Sequence, residues 1–382
     1  MRITFLMPGY VWGPSGGIRV VYEYANTLVD RGHEVTVVHP RRVKHAPVPP
    51  RGSLLHWARN QVEAAREWVS EPTIDWQPIN PKVKLLFVPD SEARHIPDAD
   101  AVFATAWYTV RSVLDCPAAK GEKFYLIQGY ETWNGPKDQV DATWRSPLHK
   151  VVIAKWLLDL GRELGCKDLA YIPNAIDGKK YQLGSPVEGR QRQVAMLFNA
   201  AKIKGAAEGI EAIRIVRERF PHLRFVMFGT SRRQPWVPEW AEYYRNPPQN
   251  FIVDEIYNKS AIFISPSWTE GFALPPAEAA CCGCAVVGTE SGGIQEYIQH
   301  GVTGLLSPPK DAVAMAANIC LLLENEELRV KLAKACHDLL AEFTWERSAT
   351  LLEDYIVRVL KQKRISPEGQ LLLRYSTPDA RL

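Results

Sequence analysis

A pair of glutamates, Glu270 and Glu278, encloses a glycine turn within the segment from Ser265 to Ala280. A predicted strand ends just before Glu270, and the next predicted helix carries Glu278 about one turn into its length. A carboxylate can accept two hydrogen bonds from neighbouring hydroxyls, and the amides of a glycine turn can bind phosphate or sugar oxygens. The spacing alone arises often by chance, but this setting predicts a site for a ligand that carries both diols and phosphates.

A short lysine-containing turn follows the first predicted strand of the second half of the chain. That strand ends at Phe198 and Asn199, and Lys202, Lys204 and Gly205 come before the next helix. Ligands of α/β proteins bind outside the carboxyl ends of the strands, where a lysine can supply charge to a leaving diphosphate. We therefore expect Lys204 to contact a phosphate, and a solvated loop lysine is the alternative.

A glycine-rich turn also follows the first predicted strand of the chain. Gly13, Gly16 and Gly17 open a predicted helix whose free amides and positive dipole end could bind an anion. The G-x-G-x-x-G spacing of a dinucleotide site is absent, which argues against nicotinamide chemistry. A packing role for these glycines in a tight turn is the alternative.

The elements around these residues alternate between strand and helix, which predicts two doubly wound α/β domains in tandem. Glycines and prolines from Pro173 onward indicate a linker. We predict a first domain over 1–172, a linker over 173–190, a second domain over 191–344, a terminal amphipathic helix over 345–363 and a loose tail over 364–382. The predicted strands are Arg2 to Pro8, Glu34 to His39, Val83 to Val88, Ala101 to Thr105, Phe124 to Gln128, Lys150 to Ala154, Gln193 to Phe198, Leu223 to Gly229, Ile262 to Ser265 and Ala285 to Gly288. The predicted helices of the second domain are Ala206 to Arg219, Pro275 to Cys282, Ile294 to Gln299 and Ala312 to Glu324.

Composition limits the classes of function. The 382 residues are 46% apolar and 23% charged with a net charge of +3, so a large core is available and no nucleic-acid partner is required. We find neither a secretory segment nor a long apolar run, and therefore expect a cytoplasmic protein. No metal is expected, because Cys281, Cys282 and Cys284 lack partners at ligand spacing and the Asp98-Ala99-Asp100 triplet suits surface charge and turn formation.

A basic and aromatic stretch covers residues 41–68. Its basic residues and tryptophans could approach anionic lipid or a phosphorylated acceptor, which would place the protein at the inner face of a membrane. A solvated loop followed by an ordinary surface helix is the alternative. The residues concerned are Arg41, Arg42, Lys44, His45, Arg51, Leu54, Leu55, Trp57, Arg59, Arg66 and Trp68.

The segment around Glu270 and Glu278 resembles the E-x7-E motif of the retaining glycosyltransferases of family 4. The resemblance continues through Gly283 to Val287, Gly292 to Ile298 and Gly301 to Leu306, and extends over residues 1 to about 360. It implies the GT-B fold, in which two Rossmann-like domains face each other across a cleft, the first binds the acceptor and the terminal helix returns to it. It also implies that Glu270 contacts the donor sugar, Glu278 the ribose and Lys204 the diphosphate. Backbone amides of Gly16, Gly17, Gly271, Phe272, Ala273 and Leu274 would line the donor site.

Three positions depart from the family pattern. Where the family has an arginine a few residues before the lysine, the nearest polar candidates in this chain are Asn199 and Lys202, so Lys202 is the candidate for a second donor-binding cation. Where a histidine is common, the chain has Gln128, and the run that follows it is similar to a rhamnosyltransferase-like branch with a Gln and a Tyr-Glu pair. The stretch between Gly229 and Tyr257 lacks the usual spacing, so the nucleobase pocket is left unplaced.

The resemblance implies a hexosyl transfer that retains anomeric configuration. Since no nucleophile is placed under the sugar, we expect front-face substitution without a metal, with Lys204 and helix-end amides stabilising the leaving group, Glu270 at the sugar and Gln128 in the position of the usual histidine. The nucleotide-sugar would be a substrate and no cofactor is expected, while the acceptor would be a glycan or a lipid-linked molecule in polysaccharide biosynthesis. A sugar-nucleotide epimerase and a catalytically silent nucleotide-sugar-binding subunit are the alternatives.

Overall fold

The computed structural model describes residues 1–10, 13–44, 46 and 73–365. Most of the basic stretch over 41–68 lies outside the described residues, and so does the predicted tail from residue 366 onward. The chain divides into two compact units. One comprises Met1–Ile153, Leu158–Ile172 and the helix from Glu346 onward, and the other comprises Ala154–Leu157 and Pro173–Trp345.

The first unit is built on a parallel sheet whose strand order is β3-β2-β1-β4-β5-β6-β7. Its inner strands are almost continuously apolar, as expected for a parallel sheet covered on both faces. The strand order reverses at β1, which pairs with β2 along one edge and with β4 along the other. The strands are β1 Arg2–Leu6, β2 Glu34–Arg42, β3 Lys84–Asp90, β4 Ala101–Ala104, β5 Glu122–Ile127, β6 His149–Val152 and β7 Leu169–Tyr171.

The helices of this half connect successive strands of the sheet. Its longest, α1, begins at Gly16 in the glycine-rich turn and buries one apolar face that includes Val21 and Leu28. The helices are α1 Gly16–Asp30, α2 Val110–Leu114, α3 Lys137–Trp144 and α4 Lys155–Glu163.

The last helix of the chain also packs on the first unit. It forms an ion pair with Arg31, the residue directly after α1, in which Glu353 Oε2 lies 2.5 Å from Arg31 Nη2. Its Tyr355 hydroxyl donates a hydrogen bond of 2.9 Å to Asp168 Oδ1 beyond β6. The return of the terminal helix to the first domain is therefore present in the structure, with bounds Trp345–Ile365.

The second unit has a parallel sheet of order β10-β9-β8-β11-β12-β13, with its reversal between β8 and β11. That reversal is the point at which an open α/β sheet leaves a crevice for a ligand. Both predicted site segments follow these two strands, because Lys204 comes after β8 and Glu270 after β11. The strands are β8 Gln193–Leu197, β9 Arg224–Gly229, β10 Glu242–Arg245, β11 Ile262–Ser265, β12 Ala285–Thr289 and β13 Leu305–Ser307.

The helices of the second unit close its core on both sides of the sheet. Helices α5 and α8 share one apolar cluster with β8, in which Ile213 and Ile319 are fully buried. Asp311 caps α8 by accepting a hydrogen bond from the amide of Ala314. The helices are α5 Ala206–Arg219, α6 Gln249–Phe251 with a π-helical continuation over Ile252–Tyr257, α7 Leu274–Cys281, α8 Ala312–Glu324, α9 Glu326–Leu340 and the terminal α10 Trp345–Ile365.

One predicted helix was wrong. The stretch from Ile294 to Gln299 contains only a short 3-10 turn over Gly293–Glu296. Helix growth stops there because the Thr303 hydroxyl donates to the carbonyl of Tyr297 and accepts from the amide of Gln299. The side chain thus takes the backbone groups that a longer helix would need.

Candidate functional site

The centre of the candidate site is an ion pair between Lys204 and Glu270. Lys204 Nζ lies 2.8 Å from both carboxylate oxygens of Glu270, and the Ser267 hydroxyl donates to Oε1 at 2.7 Å. Both side chains keep part of their surface exposed, 32% for Lys204 and 16% for Glu270. The structure therefore brings together the lysine and the first glutamate that the sequence predicted as site residues.

Backbone contacts hold the two loops that carry this pair. The amide of Trp268 donates to the carbonyl of Ile203 at 2.8 Å, which joins the loop after β11 to the turn after β8. Gly205 has φ +64°, and a Cβ atom there would lie 2.0 Å from the carbonyl oxygen of Pro266. Only glycine allows this approach, so the residue after Lys204 fixes the position of the lysine.

The turn after Glu270 is equally constrained. A Cβ atom on Gly293 would lie 2.3 Å from the carbonyl carbon of Gly271, so the backbone of Gly293 packs directly against the backbone of the turn. Ala273 has φ +67°, a left-handed conformation that is uncommon for alanine, and its carbonyl accepts a 2.5 Å hydrogen bond from the Tyr297 hydroxyl. Backbone strain of this kind persists where the surroundings impose it, often at functional sites.

Helix α7 begins at Leu274 directly after this turn. Pro275 and Pro276 occupy its first positions, where the missing N–H groups cost nothing because first-turn amides have no partner within the helix. Its N-terminus points its remaining amides and its positive dipole end at the turn. Phe272, a residue of the turn, is only 2% exposed, so its side chain is packed in the core.

The second glutamate lies deeper than the first. Glu278 is 6% exposed, and its Oε2 accepts a hydrogen bond of 3.2 Å from the hydroxyl of Tyr257, which is fully buried. Tyr257 ends the π-helical stretch, and no pattern in the sequence predicted its contact with Glu278. A buried carboxylate held by hydrogen bonds is oriented in advance for a diol.

Lys202 is not placed with Lys204. Its ammonium lies 5.5 Å from the centroid of the Trp268 ring, and the ammonium of Lys310 lies 4.2 Å from the same centroid. Asn199, the other polar residue near Lys204, uses Oδ1 to accept a 2.8 Å hydrogen bond from the amide of Ala201. Sequence reasoning found Lys202 but missed Trp268 and Lys310 as its neighbours.

In the first unit the structure joins Gln128 to the glycine turn. Gln128 Nε2 donates a hydrogen bond of 3.0 Å to the carbonyl of Gly17, and a Cβ atom on Gly17 would lie 3.4 Å from Gln128 Oε1. Gln128 follows β5, and Gly16 and Gly17 open α1. These three predicted residues therefore form one polar edge of the first sheet.

A half-buried carboxylate, Glu131, lies next to this edge. Glu131 Oε2 accepts hydrogen bonds from the amide of Trp107 at 2.7 Å and from the hydroxyl of Tyr125 at 3.5 Å. Burial raises the pKa of Glu131 to about 7, although both hydrogen bonds act in the opposite direction. Burial of Tyr108, and to a lesser extent the charge of Glu131, raises the pKa of Tyr108 to about 12.

The two aspartates considered for metal binding have other partners. Asp98 forms a 2.9 Å ion pair with Lys120, and Asp100 accepts from the amide of Arg2. Cys282 and Cys284 are fully buried. Within residues 1–10, 13–44, 46 and 73–365 no group of three or more His, Cys, Asp and Glu side chains could hold a metal ion. No helix among the same residues has the length and apolar character needed to cross a membrane.

Comparison with known proteins finds a match to a family model within the second unit. Residues 182–337 match the family model of the Glycosyl transferases group 1. The matched residues contain Lys202, Lys204, Glu270, Glu278 and the turn between the glutamates.

Two curated relatives illustrate the range of the likeness. The chain is 31% identical over 147 residues to the N,N'-diacetylbacillosaminyl-diphospho-undecaprenol alpha-1,3-N-acetylgalactosaminyltransferase of Campylobacter jejuni. The matched stretch covers 37% of this chain and 38% of that protein. Over 377 residues it is 24% identical to the phosphatidyl-myo-inositol mannosyltransferase of Mycolicibacterium smegmatis, with 90% of each covered. The chain spans between 38% and 54% of the length of the first curated relatives that it matches.

The fold is also found among solved structures. HepE from Anabaena, solved in complex with UDP, superposes with a TM-score of 0.69 at 15% identity and covers 94% of this chain and 100% of that chain. The predicted fold class is confirmed, since the chain has two parallel-sheet Rossmann-like domains and its structural neighbours are GT-B glycosyltransferases.

Proposed function

We propose that the chain is a retaining glycosyltransferase that moves a hexosyl group from a nucleotide-sugar to a hydroxyl of a glycan or lipid-linked acceptor. The observation that carries the proposal is the Lys204–Glu270 pair at the sheet reversal of a group 1 domain. An ammonium group has three N–H donors, and two of them suffice for the two oxygens of Glu270. The third can be directed at a phosphate, so one lysine would connect the diphosphate to the carboxylate that contacts the sugar.

The remaining donor contacts are assigned to the turn and to α7. Amides from Gly271 to Leu274 and the positive end of α7 would bind sugar and phosphate oxygens. Glu278, oriented by Tyr257, would accept hydrogen bonds from the ribose hydroxyls. Each of these groups is fixed before a ligand arrives, which reduces the cost of ordering them on binding.

The reaction would proceed on one face of the sugar. The bond between the anomeric carbon and the diphosphate oxygen breaks, and the acceptor oxygen forms its new bond from the same side. The acceptor proton passes to the departing diphosphate. Lys204 and the amides of the turn stabilise the negative charge that develops on the leaving group, so the proposal requires no metal and no cofactor.

The first unit is proposed to bind the acceptor. Gln128, Gly16 and Gly17 provide amide and carbonyl groups, and an amide side chain can orient a hydroxyl but cannot take its proton. Gln128 would therefore position the substrate, in agreement with a mechanism in which the diphosphate accepts the proton. Contact of the 41–68 stretch with a membrane carrying a lipid-linked acceptor is part of the same proposal.

Incubation of the full chain with a panel of radiolabelled nucleotide-sugars and candidate acceptors tests the proposal. We expect label to appear in the acceptor with the anomeric configuration of the donor. Isomerised nucleotide-sugar without transfer would favour an epimerase, and binding without turnover across the panel would favour a silent binding subunit. Either result would refute the transferase proposal.

A further inference from the structure

Helix α8, Ala312–Glu324, has an apolar surface on the side that faces away from the core. Val313 is 68% exposed and Leu321 is 44% exposed, and Ala317, which lies midway between them, is exposed as well. Among the residues that the structure describes, Val313 is the most exposed of the large apolar side chains. Positions i, i+4 and i+8 lie on one side of an α-helix, so these three residues form a single stripe, which we call the α8 stripe.

The opposite side of α8 already fills the core of the second unit. Ile319 and Leu322 are fully buried there, in the cluster that α8 shares with α5 and β8. No charged residue occurs over 312–323, and the side-chain amide of Asn318 donates a 3.1 Å hydrogen bond to the carbonyl of Leu306. A helix that is apolar on every side is normally covered on every side. The α8 stripe is therefore a surface that a partner would cover.

The neighbouring helix α9 has the ordinary pattern of a surface helix. Four of its exposed positions carry charged side chains, namely Glu327, Lys331, Lys334 and Asp338. The apolar surface is thus a property of α8 and not of this part of the unit in general. Contiguous exposed apolar surface of this kind marks a contact with another molecule.

The two ends of the α8 stripe differ in charge. Lys310 lies just before α8, at the positive end of the helix dipole, and Glu324 is its last residue, at the negative end. Each charge is unfavourable beside the end of its own helix. Asp311 next to Lys310 and an exposed 2.6 Å ion pair from Arg219 to Glu324 compensate in part. A second α8 in the antiparallel direction would bring each acidic end beside a basic one.

We propose that the α8 stripe is the contact surface of a homodimer, in which two copies of α8 pack antiparallel across a two-fold axis beside Ala317. Val313 of each copy then faces Leu321 of the other, because both lie four residues from Ala317. The small side chain at the crossing point lets the two helices approach closely. A two-fold contact requires a surface that is complementary to itself, and the α8 stripe meets this requirement in shape and in charge.

A lipid surface suits the α8 stripe less well. Glu324, Glu326 and Glu327 are exposed at its carboxyl end, where anionic headgroups would repel them. The dimer involves none of the residues assigned to the donor or the acceptor, so it stands or fails independently of sugar transfer.

Sedimentation equilibrium of the full chain over a range of concentrations tests the proposal. Since one helix pair is a small interface, we expect a dimer that dissociates on dilution. Val313→Lys and Leu321→Glu each place an unpaired charge in the contact, so each should weaken the dimer roughly 100-fold. Combining the two substitutions should restore most of this loss, because the new lysine of one copy faces the new glutamate of the other. Val302→Lys, at a 47% exposed apolar position of the same unit outside α8, is the matched control and should leave the dimer intact.

A chain that is monomeric at every concentration would overturn the proposal, and so would a dimer that both single variants leave intact. A dimer that is lost in the single variants and not regained in the combined variant would overturn the antiparallel pairing. Circular dichroism of each variant separates loss of the contact from loss of the fold. Co-sedimentation with vesicles of phosphatidylglycerol and phosphatidylcholine covers the other occupant. Vesicle binding by a monomeric chain that Leu321→Glu abolishes would assign the α8 stripe to a lipid surface and overturn the homodimer.

Discussion

Lys204 and Glu270, which are 66 residues apart in the chain, meet in a pair with both oxygen distances at 2.8 Å. The pair joins the loops that follow β8 and β11, the two strands between which the sheet order reverses. Neither residue is fully buried, so the pair contributes little to the stability of the fold. Its position at the sheet reversal is the one at which open α/β sheets leave a crevice for a ligand.

Lys204→Gln separates these two roles. We expect transfer to fall about 100-fold or more, because a charge that stabilises the leaving group is lost. The free energy of unfolding should change by less than about 1 kcal/mol, because the pair is partly exposed. Steady-state transfer kinetics and urea denaturation measure the two quantities.

The matched control is Lys334→Gln, which breaks the exposed pair with Glu188 elsewhere in the second unit. It should leave transfer unchanged. A loss of stability in Lys204→Gln much larger than in the control, with transfer retained, would mean that the pair is structural.

Gly293→Ala tests the support beneath the donor turn. The new Cβ atom would lie 2.3 Å from the Gly271 carbonyl carbon, so the turn must move. We expect a loss of about 2 kcal/mol in the free energy of unfolding together with weaker donor binding. Gly178→Ala, where no atom lies within 4 Å of the new Cβ, is the control in the same unit and should be nearly neutral. Equal behaviour of the two variants would show that the turn tolerates displacement.

Tyr257→Phe removes the hydroxyl that donates to Glu278. Because both groups are buried, we expect the free energy of unfolding to fall by about 1 to 2 kcal/mol and nucleotide affinity to fall with it. Tyr244→Phe removes a hydroxyl that donates to Glu242 at a half-buried position and is the control. Unaltered nucleotide affinity in Tyr257→Phe would argue against Glu278 as the ribose ligand.

Glu131 makes the stability of the first unit depend on pH. Its pKa is raised to about 7 in the folded protein from an ordinary value of 4.5, so the folded state favours the neutral carboxyl. The contribution to stability is therefore greatest below about pH 4.5 and is lost as pH rises toward 7, by at most about 3 kcal/mol. Urea denaturation across this range should show that decline, and Glu131→Gln should flatten it. The same decline in the variant would refute the assignment to Glu131.

The sequence predicted the elements that position the site better than the contacts within it. Ala206 to Arg219 and Ala312 to Glu324 were predicted with the bounds that the structure has, because their apolar periodicity is regular. The placement of Lys204 and Glu270 at one edge of the sheet followed from the rule that ligands bind outside the carboxyl ends of parallel strands. The short strands Leu169–Tyr171, Glu242–Arg245 and Leu305–Ser307 were missed, since three or four residues carry too little pattern.

Other features had no local signal at all. Tyr257 reaches Glu278 from the end of a π-helical stretch, whose period differs from that of an α-helix. The approach of Lys310 to Trp268 depends on a loop from another strand and on a left-handed residue, neither of which the sequence indicates. Contacts of this kind are set by tertiary structure, so they appear only when the strands are assembled.

The most direct test of the central claim is the initial rate of sugar transfer by Glu270→Ala compared with the unmodified chain, using a donor found in the nucleotide-sugar panel. Replacing this carboxylate would remove the proposed contact to the transferred sugar and would free Lys204 from its partner. We predict a loss of at least about 100-fold in kcat/KM with the fold retained. Transfer at the unmodified rate would contradict the assignment of the donor site to the segment between Glu270 and Glu278.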